Sequence, residues 1–162
     1  MVRTNSTKET TMIPIISADR NCNGCTICCD GWATGVAHGH KFFPGRKCHY
    51  VSESGCTIYE DRPAQPCKNF KCVWLTDHTI PEWLKPNLTG ALLAAEELRG
   101  VKFITVKETG KKLDVNVLSW LIQAHQTGLI INMRYELEGG WNFIGTPEFM
   151  KMMVGTPQEK QL

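Results

Sequence analysis

Apolar residues at helical spacing in the second half of the chain predict three helices. The first is predicted over residues 89–98, with Gly100 as its stop signal, and the second over residues 114–127, with Gly128 after it. A third, short helix begins at Thr146-Pro147-Glu148, because proline is favoured in the first turn of a helix. The apolar face of the second helix consists of Val117, Leu118, Leu121 and Ile122.

Alternation of apolar and polar residues in the same half predicts strands between these helices. Residues 101–107 are rich in β-branched side chains, and a turn follows at Glu108-Thr109-Gly110. Residues 131–137 alternate along their length, which is typical of a half-buried strand. The segment Glu138-Gly139-Gly140 then turns the chain into residues 141–144, so we expect a hairpin here.

These elements predict an α+β fold in which a loop-rich, cysteine-ligated metal-binding half packs on a small antiparallel sheet with two or three helices. We divide the chain into a flexible N-terminal arm (1–18), a cysteine-rich metal-binding module (19–76), a small α+β portion (77–154) and a loose tail (155–162). The α+β portion is short for an independent core, and we therefore expect it to share its core with the metal-binding module.

Composition and charge exclude several classes of protein. Hydrophobic residues make up 42% of the chain and charged residues 21%, which is typical of a globular protein and not of a disordered one. No apolar run approaches the length of a membrane span, and the polar N-terminus lacks a signal-peptide core, so we predict a cytoplasmic protein that does not bind membranes. The net charge is +2 and no concentrated basic stripe is present, which makes nucleic acid an unexpected partner.

Eight cysteines carry the main chemical information, and all of them lie between residues 22 and 72. Disulfides require an oxidising compartment, whereas a cysteine cluster in a reducing cytosol more often binds metal. We therefore predict that all eight bind metal. They are Cys22, Cys25, Cys28, Cys29, Cys48, Cys56, Cys67 and Cys72.

The spacing of the first four cysteines indicates how they could divide between sites. A C-x2-C loop brings two thiolates to one ion, and the run C-x2-C-x2-C is also used to hold an iron–sulfur cluster. Adjacent cysteines rarely reach the same metal, so we expect that Cys28 and Cys29 serve different sites or that one of them does not ligate the metal. Eight thiols form two sets of four, which leaves open a [4Fe–4S] cluster with a zinc ion, or two zinc ions.

Other residues of the cysteine-rich segment could modify such sites. The histidines His38, His40 and His49 could each replace a thiol ligand, although loop histidines more often have no such role. Pro63 favours an extended Arg62, whose charge could offset that of the thiolates or bind a carboxylate. We expect aromatic side chains to pack around the metal loops and exclude water. These are Trp32, Phe42, Phe43, Tyr59, Phe70 and Trp74.

The cysteine motifs resemble those of the CxxCxxCC cysteine-cluster family, whose members are described as zinc- or iron-chelating. The run Cys22-x2-Cys25-x2-Cys28-Cys29 is similar to the opening motif of that family, and Cys56-Thr-Ile-Tyr59-Glu60 with Arg62-Pro63 and Cys67 is similar to its second motif. The similarity covers residues 20–75 and implies a metal or iron–sulfur site bound by the cysteines. Some relatives are larger flagellin lysine N-methylases, but the resemblance does not imply a reaction for this chain.

Three functions follow from these observations. The first is a metal-binding protein that acts structurally or in electron transfer through a protein partner. The second is a small metalloenzyme acting on a peptide or small molecule, which would need an open coordination position. The third is a metal-stapled assembly protein that docks through the Trp141 hairpin or through the pair Phe42-Phe43. The chain contains no GxGxxG, P-loop or HExxH motif that would indicate a nucleotide or zinc-protease site.

Overall fold

The structure is a computed structural model that describes residues 20–22 and 24–155. The cysteine-rich segment is built from two small β-hairpins, two irregular turns of π-helical type and one short helix. In chain order they are a π turn at Cys28–Trp32, β1 (Gly35–Ala37), β2 (His40–Phe42), β3 (Val51–Ser52), β4 (Gly55–Cys56), a π turn at Ala64–Lys68 and α1 (Val73–Thr76).

The remainder of the described chain contains a larger sheet with helices before, between and after its hairpins. The elements are a 3-10 turn at Glu82–Leu84, α2 (Pro86–Thr89), β5 (Ala91–Leu98), β6 (Val101–Glu108), α3 (Val115–Gln126), β7 (Met133–Leu137), β8 (Gly140–Ile144) and α4 (Pro147–Val154). The predicted N-terminal arm (1–18) and all of the predicted tail beyond residue 155 lie outside the described residues.

The strands and helices together form an α+β fold, as the sequence predicted. The hairpins β1–β2 and β3–β4 are separate two-stranded antiparallel sheets, and the larger sheet has the order β5-β6-β7-β8. Its outer pairs are antiparallel, but β6 and β7 run parallel, because α3 carries the chain across between them. The four-stranded sheet is therefore mixed, and only its two hairpins have the antiparallel pairing that was expected.

The helix predicted over residues 89–98 is wrong, since residues 91–98 form strand β5. All eight residues of β5 pair with β6, from Ala91 opposite Glu108 to Leu98 opposite Val101. The connecting residues Arg99 and Gly100 have φ values of 52° and 81°, and positive φ at both positions is the conformation of a type I′ two-residue hairpin turn. Gly100 therefore makes a hairpin turn where the sequence indicated a helix stop, and pairing with a neighbouring strand overrides the helical spacing of the leucines.

The other predicted elements of this half are present with small shifts at their ends. The second helix spans residues 115–126 and the last one residues 147–154. Both begin at a capping side chain: Asp114 accepts hydrogen bonds from the backbone N–H groups of Asn116 and Val117, and Thr146 accepts one from that of Phe149. The predicted strands lie at 101–108, 133–137 and 140–144.

One buried cluster connects the two halves of the chain. Cys72, Val73 and Trp74 from the cysteine-rich segment pack in the same cluster as residues of the sheet and of α3. Helix α3 contributes Val117 and Leu121, and strands β5, β6 and β7 contribute Leu92, Leu93, Val106 and Met133. Burial of this shared surface means that displacement of α1 would also expose the core of the sheet.

The side chain of Arg20 fixes the junction between the two halves. Its guanidinium donates hydrogen bonds to the backbone carbonyls of Trp74 (2.6 Å), Asp77 (2.9 Å) and Ile80 (2.6 Å). It also pairs with Glu82 at 2.7 Å and lies 4.9 Å from the centre of the Trp74 ring. Only 4% of the Arg20 side chain is exposed, so burial removes water from its guanidinium. The carbonyl and carboxylate partners supply the hydrogen bonds that this water would have made.

No helix in the described part of the chain is both long enough and apolar enough to cross a membrane.

Helix α3 offers a test of this packing. Leu121 is 1% exposed and Ile122 is 37% exposed, so the two neighbouring residues differ mainly in burial. We expect Leu121→Ala to lower the free energy of unfolding by about 2–5 kcal/mol, because it leaves a cavity in the shared core. The matched control Ile122→Ala should cost about 1 kcal/mol or less. Urea unfolding followed by circular dichroism measures both, and equal losses would contradict this placement of α3.

Candidate metal centre

The structure divides the eight cysteines into two groups of four. The first group is called the core group, because two of its cysteines, Cys28 and Cys72, pack in the large buried cluster. Its members are Cys22, Cys25, Cys28 and Cys72. Cys22 and Cys25 are joined in a tight turn, in which the Cys25 N–H donates to the Cys22 carbonyl at 2.8 Å. Cys28 begins the first π turn, and Cys72 immediately precedes α1; both pack in the cluster that contains Trp74.

The second group, called the hairpin group, is held by the two small hairpins and the second π turn. Its members are Cys29, Cys48, Cys56 and Cys67. The Cys48 N–H donates to the Cys29 carbonyl at 2.7 Å, and Cys48 in turn accepts from the Val51 N–H. Val51 is the residue that pairs with Cys56 across β3 and β4. Cys29 and Cys67 pack against the small buried cluster that contains Cys48, which brings all four to one region.

Glycine at position 31 is required by the close approach of two loops in the hairpin group. Gly31 has a φ of 100°, and a Cβ atom built on it would lie 2.6 Å from the carbonyl oxygen of Phe43. Any other residue would therefore push the loop at Phe43 away from the turn that carries Cys28 and Cys29. The turn and the hairpins depend on each other through this contact.

Burial and neighbouring thiols raise the pKa values of three cysteines in the core group. Burial is the main cause that raises the pKa of the Cys28 thiol, and the nearby charge of Cys72 is the next. Cys29, Cys25 and Cys22 raise it further. Burial also raises the pKa values of Cys22 and Cys72, with Cys25 acting on both. Cys22, Cys28 and Cys72 therefore stay protonated at neutral pH unless a cation stabilises their thiolates.

In the hairpin group, the pKa values of Cys29 and Cys67 are raised by the same two causes, burial and neighbouring thiols. Burial raises the pKa of Cys29 to about 12, and the charges of Cys48, Cys56 and Cys67 contribute next. The pKa of Cys67 is raised by burial and then by Cys48 and Cys56. Between the groups, Cys29 raises the pKa of its chain neighbour Cys28.

Cationic side chains lie close enough to oppose these shifts. Arg62, Lys85 and Lys71 all lower the pKa of Cys22, and Arg62 also lowers that of Cys67. Arg62 is held in place by its own neighbours: its Nε donates to the Tyr59 carbonyl at 2.6 Å, and its guanidinium carbon lies 3.5 Å from the centre of the Tyr59 ring. Arg62 thus acts on one thiol of each group, which is the charge-offsetting arrangement expected from the sequence.

The donor set suits thiophilic metals in both number and type. Each group supplies four sulfur ligands, which is the complete set for a tetrahedral zinc ion or for a [4Fe–4S] cluster. In the part of the chain that the structure describes, no group of three or more histidine, cysteine, aspartate or glutamate side chains is arranged to hold a metal ion as it stands. The thiols of each group share a region without converging on one point, so binding would require their side chains to rotate inward.

Several other expected site residues lie elsewhere. The histidines His38, His40 and His49 gather around the ring of Tyr50. Tyr59 is 40% exposed beneath Arg62, so its expected packing around the metal loops is wrong. The pair at 42–43 does not form one exposed patch: Phe42 is 4% exposed and buried beside Cys48, whereas Phe43 is 42% exposed.

Sequence reasoning missed two features of this region. Nothing in the spacing indicated that Cys72 joins Cys22, Cys25 and Cys28, because forty-two residues of chain separate Cys72 from Cys29 and contain three other candidates. Arg20 was also missed. Its position just before Cys22 is the only signal in the sequence, and its carbonyl partners are visible only after folding.

No protein-family model, no curated protein and no solved structure matches this chain. The resemblance to the CxxCxxCC family rests on the cysteine motifs alone and stays a prediction.

The raised thiol pKa values predict a reversal of pH dependence when metal is removed. An unfolded cysteine has a pKa of about 8.5, below the values of Cys28 and Cys29 in the fold. For reduced protein with chelator, stability is fully present below about pH 8.5 and falls as the pH rises, because the unfolded chain then releases protons more readily. Metal-loaded protein should instead lose stability toward acid, where protons compete for the thiolates.

Urea unfolding at a series of pH values between 6 and 10, with and without chelator, measures both trends. The control is the double variant Cys28→Ser/Cys29→Ser, which should show a flatter alkaline profile in chelator. Identical alkaline profiles for this variant and the original chain would show that the two thiols are not the cause.

Proposed function

We propose that the chain is a metal-binding protein with two thiolate-ligated centres, one in the core group and one in the hairpin group. The observation that supports this most strongly is that the cysteines pack in two separate places. Cys29 and Cys67 pack with Cys48 in the small buried cluster, whereas Cys28 and Cys72 pack in the large one. Either a zinc ion or a [4Fe–4S] cluster would find a complete ligand set in each group.

A complete set of four ligands favours a structural or electron-transfer role, exercised through a protein partner, over catalysis. Catalytic zinc sites keep one position for water or substrate, and therefore use three protein ligands. With four thiols available in each group, neither centre needs such a position. The metalloenzyme alternative would require one cysteine of a group to stay unligated.

The chain's own residues have defined parts in this proposal. Bound metal would supply a positive centre that keeps the thiols deprotonated and closes the cysteine loops. Arg62, Lys71 and Lys85 would offset the remaining negative charge of the thiolates. Burial of Cys48 and Cys72 would keep water from one side of each centre, and this strengthens the electrostatic interactions there.

The metal is identified by anaerobic purification, with an absorption spectrum and elemental analysis on one sample. Brown protein with iron and inorganic sulfide would indicate iron–sulfur clusters, and redox chemistry would follow as the function to test. Colourless protein with two zinc ions would indicate closed structural sites, and the search would turn to interaction partners. Absence of bound metal from freshly prepared, reduced protein would contradict the proposal.

Single substitutions test the division between the two groups. Cys25→Ser removes a ligand of the core group and Cys67→Ser removes one of the hairpin group. Each variant should lose about half of the bound metal, and the double variant should lose nearly all of it. Lys68→Ser, next to Cys67 on an exposed position, is the matched control and should keep full metal content.

Elemental analysis per chain, with circular dichroism of the same samples, gives the result. Loss of metal from the core group should also lower the free energy of unfolding of the whole chain, because Cys28 and Cys72 are part of the shared core. Full metal content in both single variants would show that the ligand assignment is wrong.

A further inference from the structure

One surface beside the core group carries two large apolar side chains that the fold leaves exposed. Trp83 lies in the 3-10 turn, where its neighbour Leu84 is buried, and Leu88 lies in α2. The exposed fraction is 43% for Trp83 and 60% for Leu88. The turn and α2 contact each other, so both side chains belong to one short segment, residues 83–88. Because tryptophan is enriched at protein interfaces, this pair indicates a contact surface.

A hydrogen bond connects this segment to the cysteines of the core group. The side-chain amide of Asn87 donates to the carbonyl of Gly24 at 3.0 Å. Gly24 belongs to the tight turn in which the Cys25 N–H donates to the Cys22 carbonyl. A partner seated on residues 83–88 would therefore lie beside the proposed centre of the core group.

Two lysines give this surface a positive charge. Lys85 lies within the segment, and the ammonium group of Lys111 donates a hydrogen bond to the Leu88 carbonyl at 2.9 Å. Glu82, the nearest carboxylate along the chain, is already paired with Arg20. A positive charge around apolar side chains is complementary to a partner that carries acidic side chains around apolar ones. We refer to Trp83, Lys85, Leu88 and Lys111 as the docking surface.

We infer that the docking surface binds an acidic peptide segment of a protein partner, with apolar side chains between its carboxylates. The two apolar side chains of the surface would bury the apolar part of the segment, and the two lysines would pair with its carboxylates. The inference names the kind of partner through which the core centre would act, and in this respect it rests on the proposed function.

The probe is a fluorescein-labelled peptide in which glutamates surround one phenylalanine and one leucine, and fluorescence anisotropy measures its binding to the metal-loaded chain. Trp83→Ala and Lys111→Glu should each weaken binding at least about tenfold. Trp141→Ala and Lys102→Glu are the matched controls and should bind as the original chain does. Trp141 is 43% exposed, as Trp83 is, and Lys102 is an exposed lysine of β6. Circular dichroism checks that each variant keeps its fold.

Further probes separate this site from a general attraction between charges. A peptide with lysine in place of every glutamate should not bind, and the acidic peptide should bind more weakly at about 0.5 M salt, because salt screens exposed charges. Absence of binding, or equal affinity in all variants, would overturn the inference. Loss of binding in Trp141→Ala would move the docking site to the β7–β8 hairpin, and binding of single-stranded oligothymidine as tight as that of the peptide would favour nucleic acid. Either result would also overturn it.

The metal content of the same samples reports on the proposed function separately. Metal-loaded protein that does not bind the acidic peptide would overturn the docking surface and leave the thiol centres in place. Protein that binds the peptide but holds no metal after anaerobic, reduced preparation would overturn the thiol centres instead.

Discussion

The organisation of the cysteine-rich half depends on one covalent constraint, the adjacency of Cys28 and Cys29. Consecutive residues are fixed about 3.8 Å apart between their Cα atoms, and the two side chains of this pair lie in different thiol groups. One π turn must therefore present Cys28 to the large core and Cys29 to the hairpins. Gly31, three residues after Cys28, allows the loop at Phe43 to approach this turn closely enough to complete the second group.

This arrangement connects the proposed centres to the stability of the whole chain. Cys28 and Cys72 are part of the same buried cluster as the sheet and helix α3, whereas the hairpin group has a small cluster of its own. Disturbance of the core group would therefore reach the sheet, while disturbance of the hairpin group would be confined to the short strands. Arg20 reinforces the junction, because its guanidinium satisfies three backbone carbonyls between Trp74 and Ile80.

His38, His40 and His49 lie beside the hairpin group and share its support from Tyr50. The Tyr50 ring makes T-shaped contacts with the three histidine rings, and its side chain packs against the cluster that contains Cys48. A change in the hairpins would thus alter the thiols and the histidines together. Arg62 has a comparable position between the two thiol groups, where its charge acts on Cys22 and on Cys67.

The sequence by itself determined the α+β class and most of the elements of the second half. Helix α3 and the strand at β7 were predictable, because their apolar periodicity is long and unambiguous and Asp114 marks the helix start. Adjacency alone indicated that Cys28 and Cys29 do not both ligate one centre, because two neighbouring side chains rarely reach the same metal.

Only the tertiary structure decided which other cysteines join each of them, since group membership depends on contacts between residues far apart in the chain. Cys72 reaches the core group because α1 packs into the shared core, and Cys48 reaches Cys29 through a backbone hydrogen bond. The same applies to β5, whose leucines fit helical spacing locally but pair along their whole length with β6. Local patterns specify a conformation only where no distant partner offers a more favourable set of hydrogen bonds and contacts.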